Sequence, residues 1–249
     1  MSICDGIGRY GNQIFRSLAV SIFAEKFNLS VKYKDKVNIE RLGLKLFNGV
    51  NRYKNSIELN DNNYLDLLNK DSINSNIRTK SYFQTKRITD IVFSYLNSDK
   101  IMKDMMYNNK YKSRYNNNND CFIHIRLGDV SKYNPGYEYY NQILSKLKFD
   151  NLYIASDSPE HDIIVKLKNK YNNFKFYNSS LEDIILFGST NKYVILSYGT
   201  FSGIIGYLSY YSNVYSLKYC EEYCWDWDKQ DECDIFRDKT NKIGKWIIN

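Results

Sequence analysis

The apolar positions of the chain fall into two regimes. Early on, Ile14, Phe15, Leu18, Ala19, Ile22 and Phe23 recur at three- and four-residue spacing, which puts them on one face of a helix. That helix follows at once on a polar, glycine-rich stretch, GIGRYGNQ at 6–13, and a short strand, LSVKYK, comes after it. From Asp35 to Asn119 the pattern weakens into polar loops and helices such as DNNYLDLLN and RITDIVFSYLN. Beyond residue 120 the rhythm changes. Compact apolar runs (CFIHIRL, NLYIAS, FKFYN, KYVILS and VYSLKY) alternate with helix-patterned stretches (YEYYNQILSKLK, PEHDIIVKLKNKY, SLEDIILFGS and FSGIIGYLSYY). Pro159 is placed to open the second of these helices, and Ser180 with Asp183 to cap the third.

This alternation predicts an α/β protein whose second half is a parallel sheet with helices on both faces. The polar run YNNNND at 115–120 is the least patterned stretch. It predicts a boundary between an N-terminal α/β domain at 1–118 and a C-terminal Rossmann-like domain at 119–249.

Sheets of this kind take ligands beyond the carboxyl ends of their strands. Polar residues sit at those places. His124, Arg126 and Asp129 follow CFI, Asp157 follows NLYIAS, and Thr200, Phe201 and Ser202 follow YVILS at the start of a helix. Together they offer an arginine fork for phosphate, a carboxylate for a base or ribose edge, and hydroxyls with free N–H groups at a helix start. Taken singly, each has a structural alternative. Arg126 can pair with Asp129 at the surface, His124 can be a core histidine, and Asp157, Thr200 and Ser202 can cap helices. Capping does not explain His124 and Arg126, so their joint occurrence at successive strand ends favours a binding site. No GxxxxGK[ST] or GxGxxG sequence follows any strand, which excludes the ordinary P-loop and dinucleotide folds.

Composition changes this picture little. The 249 residues are 43% hydrophobic and 16% aromatic, ample for packed interiors. The net charge of +7 suits an anionic partner but also follows from a general excess of lysine. There is no nucleic-acid-binding module and no single basic run, so no nucleic-acid partner is expected. No run of about 18 apolar residues and no basic-then-apolar leader occurs, which predicts a cytoplasmic chain with no integral membrane segment. Of five cysteines, Cys4 and Cys121 stand alone, while Cys220, Cys224 and Cys233 lie near one another without a histidine close by. Three thiols fall short of a four-ligand zinc site, so free thiols are expected, with one disulfide as the alternative. Asp226 and Asp228 in WDWD form a nominal DxD, but they follow no core strand and are read as incidental; no metal is expected.

Five motifs resemble, in order, those of GDP-fucose-dependent fucosyltransferases. GRYGNQ with its helix is similar to the amino-terminal signature of α-1,2- and protein O-fucosyltransferases. SYFQT at 81–85 resembles a Gly-Tyr-Phe/Trp-Gln-Ser segment of the α-1,2 family. HIRLGD resembles the His-x-Arg-Arg-x-Asp motif, and YIASDSPE a strand-Ser-Asp-Asp-x-Glu segment. YVILSYGTFSGIIGYLS is similar to the Ser-Ser-Phe-Ser-Trp-Trp segment. The resemblance runs from Gly6 to Leu208 and implies a GT-B-like architecture, two Rossmann-like domains facing across a cleft. It implies a metal-independent, inverting transfer of fucose from GDP-fucose to a hydroxyl of a glycan acceptor (an oligosaccharide or glycoprotein) in α-1,2 linkage, with no cofactor. Carried over by position, His124 and Asp157 contact guanine or ribose, and Arg126 holds the β-phosphate. Thr200, Phe201 and Ser202 line the diphosphate and sugar pocket. Arg9, Gly11 and Asn12 reach toward donor phosphate and acceptor, Asn12 orienting the acceptor hydroxyl, with Gln13 and Asp129 in support. The chain departs from the family at Leu127, where a second arginine is usual, at Gly203 and Ile204, where tryptophans are usual, and at Tyr198 in place of an asparagine. Those departures keep two rivals open: a transferase of the same scaffold using another activated deoxysugar, and an inactive nucleotide- or glycan-binding protein.

Overall fold

The computed structural model describes residues 1–129, 131–217, 236, 239 and 244–248. Cys220, Cys224, Cys233, Asp226 and Asp228 lie outside the described residues. The chain divides into two compact units, one holding Met1–Met105 and the other beginning at Met106.

In the first unit, strands β1 (Ser2–Cys4), β2 (Val31–Tyr33), β3 (Ser56–Leu59) and β4 (Asn76–Thr79) form an all-parallel sheet in the order β2-β1-β4-β3. Side chains alternate across it as the pleat requires. Ser2, Cys4, Val31, Tyr33 and Ile77 are buried, whereas Ile3, Lys32, Glu58 and Arg78, adjacent in register on the other face, are exposed. Helix α1 (Tyr10–Phe27) packs on β1 and buries Ile14, Phe15, Leu18, Ala19 and Phe23 completely. It ends at Asn28, left-handed at φ 50°, the cap geometry that asparagine tolerates better than most residues. Helices α2 (Lys36–Glu40), α3 (Tyr64–Leu68), α4 (Lys86–Leu96) and α5 (Asp99–Asn108) follow, with α4 packed on α1.

In the second unit, β5 (Cys121–Ile125), β6 (Leu152–Ser156), β7 (Phe174–Phe176), β8 (Tyr193–Leu196), β9 (Asn213–Ser216) and β10 (Lys245–Ile248) pair in parallel in the order β10-β9-β8-β5-β6-β7. From β5 the chain steps outward through β6 and β7, then returns to β5's other side with β8 and continues through β9 to β10. The direction of winding therefore reverses between β5 and β8, the strand order of doubly wound nucleotide-binding sheets. Both faces are covered. Cys121, Ile123 and Ile125 pack with Tyr140, Ile143 and Leu144 of α6 (Tyr137–Leu144) and Ile163, Ile164 and Leu167 of α7 (Asp162–Lys170). On the opposite face lie α8 (Leu181–Gly188) and α9 (Thr200–Tyr207). There Gly188 approaches the Phe122 ring and Gly206 approaches Leu196 so closely that a Cβ would sit 2.7 Å from each. Strand β10 answers to no element read from the sequence.

Two details differ from the sequence reading. The unit division precedes the asparagine run, because that run is docked on the second unit. Arg114 stacks over Phe187 at 4.5 Å and donates to Asp120 and Asn191 at 2.7 and 2.9 Å, and Asn118 donates to the Thr190 carbonyl at 2.9 Å. Helix α7 begins at Asp162 rather than at Pro159, because the His161 side chain is its N-cap and accepts from the Ile163 N–H at 3.3 Å. Ser180 caps α8 as expected, accepting from the Asp183 N–H at 3.2 Å. Among the described residues no helix is long and apolar enough to cross a membrane.

Candidate functional site

The second unit gathers its polar strand ends at the β5/β8 reversal. Within β5, Ile123 and Ile125 fill the core on the α6 and α7 face. Alternation therefore turns His124 to the other face, where its ring lies 4.9 Å from that of Phe201 at the start of α9. Its Nδ1 is 2.6 Å from Ser202 Oγ, and its Nε2 has no partner among the described residues. Burial pulls the imidazole pKa down to about 4; the Asp157 charge opposes this and the Arg126 charge adds to it. His124 is therefore neutral near pH 7.

Arg126 follows β5. Its backbone N–H donates to Ser197 Oγ at 3.1 Å, and its guanidinium pairs with Asp129 at 2.5 Å and Asp157 at 3.2 Å. Asp157, at the end of β6, does not cap α7. Its Oδ1 accepts the N–H groups of Leu127 at 2.9 Å and Gly128 at 3.1 Å, and so shapes the Arg-Leu-Gly-Asp turn. Burial opposes the charge on Asp157, but those two N–H donors and Arg126 overcome it and hold the carboxyl below its usual range. A Cβ at Gly128 would lie 2.7 Å from Asp157 Oδ2, so a larger residue there would require the Asp157 carboxylate to shift. Leu127 is 1% exposed and packs into the core, so its side chain belongs to the fold rather than to a ligand. Asn134 Nδ2 braces the turn by donating to the Arg126 carbonyl and the Tyr140 hydroxyl, each at 3.0 Å.

Thr200 and Ser202 do not cap α9. The N-cap is Gly199 at φ +108°, with no side-chain cap bond, and Ser202 is instead committed to His124 and Ser197. A helix start is where backbone N–H groups and the helix dipole favour an anion, and α9 begins at the β5/β8 reversal.

In the first unit, the loops after β1 and β4 are tied together. Arg9 is the extended N-cap of α1, and Gly11, Asn12 and Gln13 lie inside its first turn rather than in the knuckle before it. The tight turn falls on Gly8 at φ +80°, where a Cβ would meet Asn12 and the Tyr82 ring within 3.0 Å. Gln13 Nε2 donates to the Gly8 carbonyl at 3.0 Å, and Gln84 Nε2 donates to Asn12 Oδ1 at 2.9 Å. Phe83, beside Gln84, is fully buried at φ 57°, a strained backbone for a non-glycine residue.

Under these loops lies Arg16, 1% exposed. Its guanidinium donates to the Asp5 carbonyl at 3.1 Å, the Ser81 carbonyl at 2.5 Å and Thr79 Oγ1 at 2.8 Å. It joins the ends of β1 and β4, which are neighbours in the first sheet. Sequence reasoning missed Arg16, and it met Gln84 and Ser197 only as members of SYFQT and of the polar run after YVIL, without a role for either. A cation on the buried face of α1, between Phe15 and Leu18, is the signal that Arg16 gives. No family model matches the chain, and no curated protein matches it in sequence.

Proposed function

We propose that the chain is an inverting glycosyltransferase that moves fucose from GDP-fucose to a hydroxyl of a glycan acceptor, in α-1,2 linkage. The observation that carries this reading is the convergence of His124, Arg126, Asp157 and the α9 start at the β5/β8 reversal. A nucleoside diphosphate needs an arginine, hydrogen-bond donors and a helix start at such a place. In the proposed reaction the bond from the anomeric carbon to the β-phosphate oxygen breaks and its electron pair goes to that oxygen. The acceptor oxygen attacks the opposite face of the sugar and gives up its proton. Charge grows on the β-phosphate, and Arg126 with the α9 N–H groups is arranged to stabilise it. In the free protein Arg126 is held by Asp129 and Asp157, which positions the guanidinium before donor arrives. The reading includes a GT-B-like arrangement, with the donor held mainly by the second unit and Arg9, Gly11 and Asn12 of the first serving donor phosphate and acceptor. Asn12 Oδ1 accepts from Gln84 Nε2 at 2.9 Å, which orients the Asn12 amide.

The test is a panel of GDP- and dTDP-sugars, scored by nucleotide release with glycan acceptors. GDP-fucose turnover falling about 10²–10³-fold in Arg126→Ala is the expected result. Turnover unchanged in that variant removes the role given to Arg126, and release from a different sugar nucleotide reassigns the donor. A binding protein without turnover is the second reading, favoured by Leu127, whose burial leaves the turn one cation short of the family pattern. GDP binding without release from any donor supports that reading instead.

A further inference from the structure

Four groups form a hydrogen-bond chain behind the β5/β8 reversal. The Arg126 N–H meets Ser197 Oγ at 3.1 Å, Ser197 Oγ meets Ser202 Oγ at 3.2 Å, and Ser202 Oγ meets His124 Nδ1 at 2.6 Å. Ser197 and Ser202 are 1% and 0% exposed and His124 is 7% exposed, so water is a poor substitute for a missing partner. The direction of this chain is set at its head. A backbone N–H can only donate, so Ser197 Oγ accepts from Arg126 and has its own proton to place. If that proton goes to Ser202, then Ser202 donates to His124 Nδ1, and both serine protons have a partner within 3.2 Å. In the opposite order Ser202 donates to Ser197, whose proton goes either to the Tyr198 carbonyl at 3.5 Å, the outer limit of a hydrogen bond, or to the Tyr140 hydroxyl, which already accepts from Asn134 and is then left with no acceptor for its own proton among the described residues. In the remaining order Ser197 and His124 both donate to Ser202, whose proton then finds no acceptor among the described residues.

We propose that Ser197 and Ser202 are positioning residues that fix the His124 ring in its Nε2–H form, so that it presents a hydrogen-bond donor to an acceptor oxygen of the ligand. A ring nitrogen held by a serine hydroxyl decides what the other nitrogen offers. The Arg126 guanidinium and the α9 N–H groups at the reversal are donors too, and the Asp157 carboxylate beside them is engaged by the Leu127 and Gly128 N–H groups and by Arg126, so the site suits a ligand portion built of acceptors only. Phosphoryl oxygens and a purine carbonyl share that chemistry; a sugar hydroxyl, which must also place a proton, is disfavoured. The proposal deepens the nucleotide reading of this site and rests on it for the ligand, but the ring's proton can be measured without any ligand.

The chain holds two histidines, His124 and His161, so nitrogen NMR of the imidazoles is assigned by comparison with His161→Asn, which keeps an N-capping side chain. At pH 7 wild type is expected to show His124 with Nε2 protonated and Nδ1 bare, by at least about tenfold over the other form. Ser202→Ala removes the donor to Nδ1 and is expected to bring the two forms to comparable populations. Ser197→Ala is expected to shift them in the same direction. A wild-type ring protonated at Nδ1, or an unchanged ratio in a folded Ser202→Ala, overturns the proposal. Titration with GDP, guanosine and inorganic pyrophosphate then separates the two oxygen sources by which of them moves the His124 Nε2–H signal. GDP affinity is expected to fall about tenfold in Ser202→Ala. Absence of GDP binding to wild type, with the ring in its Nε2–H form, overturns the nucleotide reading and leaves the tautomer assignment standing.

Discussion

His124 shows how one buried group couples the candidate site to the stability of the second unit. Its pKa falls from 6.5 to about 4 because burial penalises the imidazolium. Above pH 6.5 the folded and unfolded chains both carry the neutral ring, so the group contributes nothing to pH dependence. Between pH 6.5 and 4 the unfolded chain takes up a proton that the folded chain refuses, and stability falls as pH falls. The expected loss is about 3 kcal/mol. Urea unfolding of wild type and His124→Gln at pH 7 and pH 4 checks this: the pH-dependent loss is expected to be smaller by that amount in the variant. Asp157 works in the opposite chemical sense, its charge held by the Leu127 and Gly128 N–H groups and Arg126. Removing it in Asp157→Ala leaves two N–H donors and a half-buried cation short of partners. We expect a cost on the order of 2 kcal/mol and weaker GDP binding, measured by unfolding and by calorimetry. These residues were legible in the sequence because strand alternation and the strand-end rule locate them without any knowledge of their contacts. Their partners were not: nothing in the sequence says that Asp157 folds back on residues 127–128, or that Ser197 stands behind His124.

At the scale of elements, α1 is held to its sheet by a cation. An arginine on an apolar helix face reads in sequence as an interruption of the stripe, yet Arg16 reaches three oxygens contributed by the loops after β1 and β4. Three acceptors lose their donor in Arg16→Leu. We expect about 3 kcal/mol of destabilisation and faster amide exchange at residues 80–85, with exchange in the second unit unchanged. Exchange at 80–85 staying as slow as in wild type would show that the loops hold without Arg16. Gly199 sets the other critical helix start. At φ +108° a side chain is strained even though a Cβ there meets nothing within 4 Å. Gly199→Ala is expected to cost about 1–3 kcal/mol and to disturb the α9 N–H groups, read as lost GDP affinity beyond the loss of stability. The strand–helix alternation of the second unit was legible because each run had one clear period. The start of α7 was misplaced because proline and histidine compete as signals over three residues, and the histidine cap depends on a side-chain rotamer. β10 was not legible because a strand at the end of a sheet is defined by the neighbour it pairs with.

At the scale of the molecule, each unit carries its own parallel sheet and its own buried residues, so a ligand held by one should stabilise that one first. The candidate site at the β5/β8 reversal uses residues of the second unit alone: His124, Arg126, Asp157 and the start of α9. A ligand that binds only the folded form adds RT ln(1 + [L]/Kd), about 2.7 kcal/mol at 100 times Kd. For a unit of roughly a hundred residues that is a rise in Tm on the order of 10 °C. GDP is therefore expected to slow amide exchange across 121–207 and to raise the transition that reports those residues. Residues 1–105 are expected to respond less to GDP alone, since the contacts proposed for Arg9, Gly11 and Asn12 are with donor phosphate and acceptor while the rest of the nucleotide is given to the second unit. GDP-fucose with acceptor is the combination expected to add protection at 8–13 and 81–85. Hydrogen exchange with each ligand in turn decides the point. Protection of 8–13 by GDP alone would assign Arg9 to the diphosphate itself, and protection of neither segment by any ligand would leave the first unit without a part in the reaction.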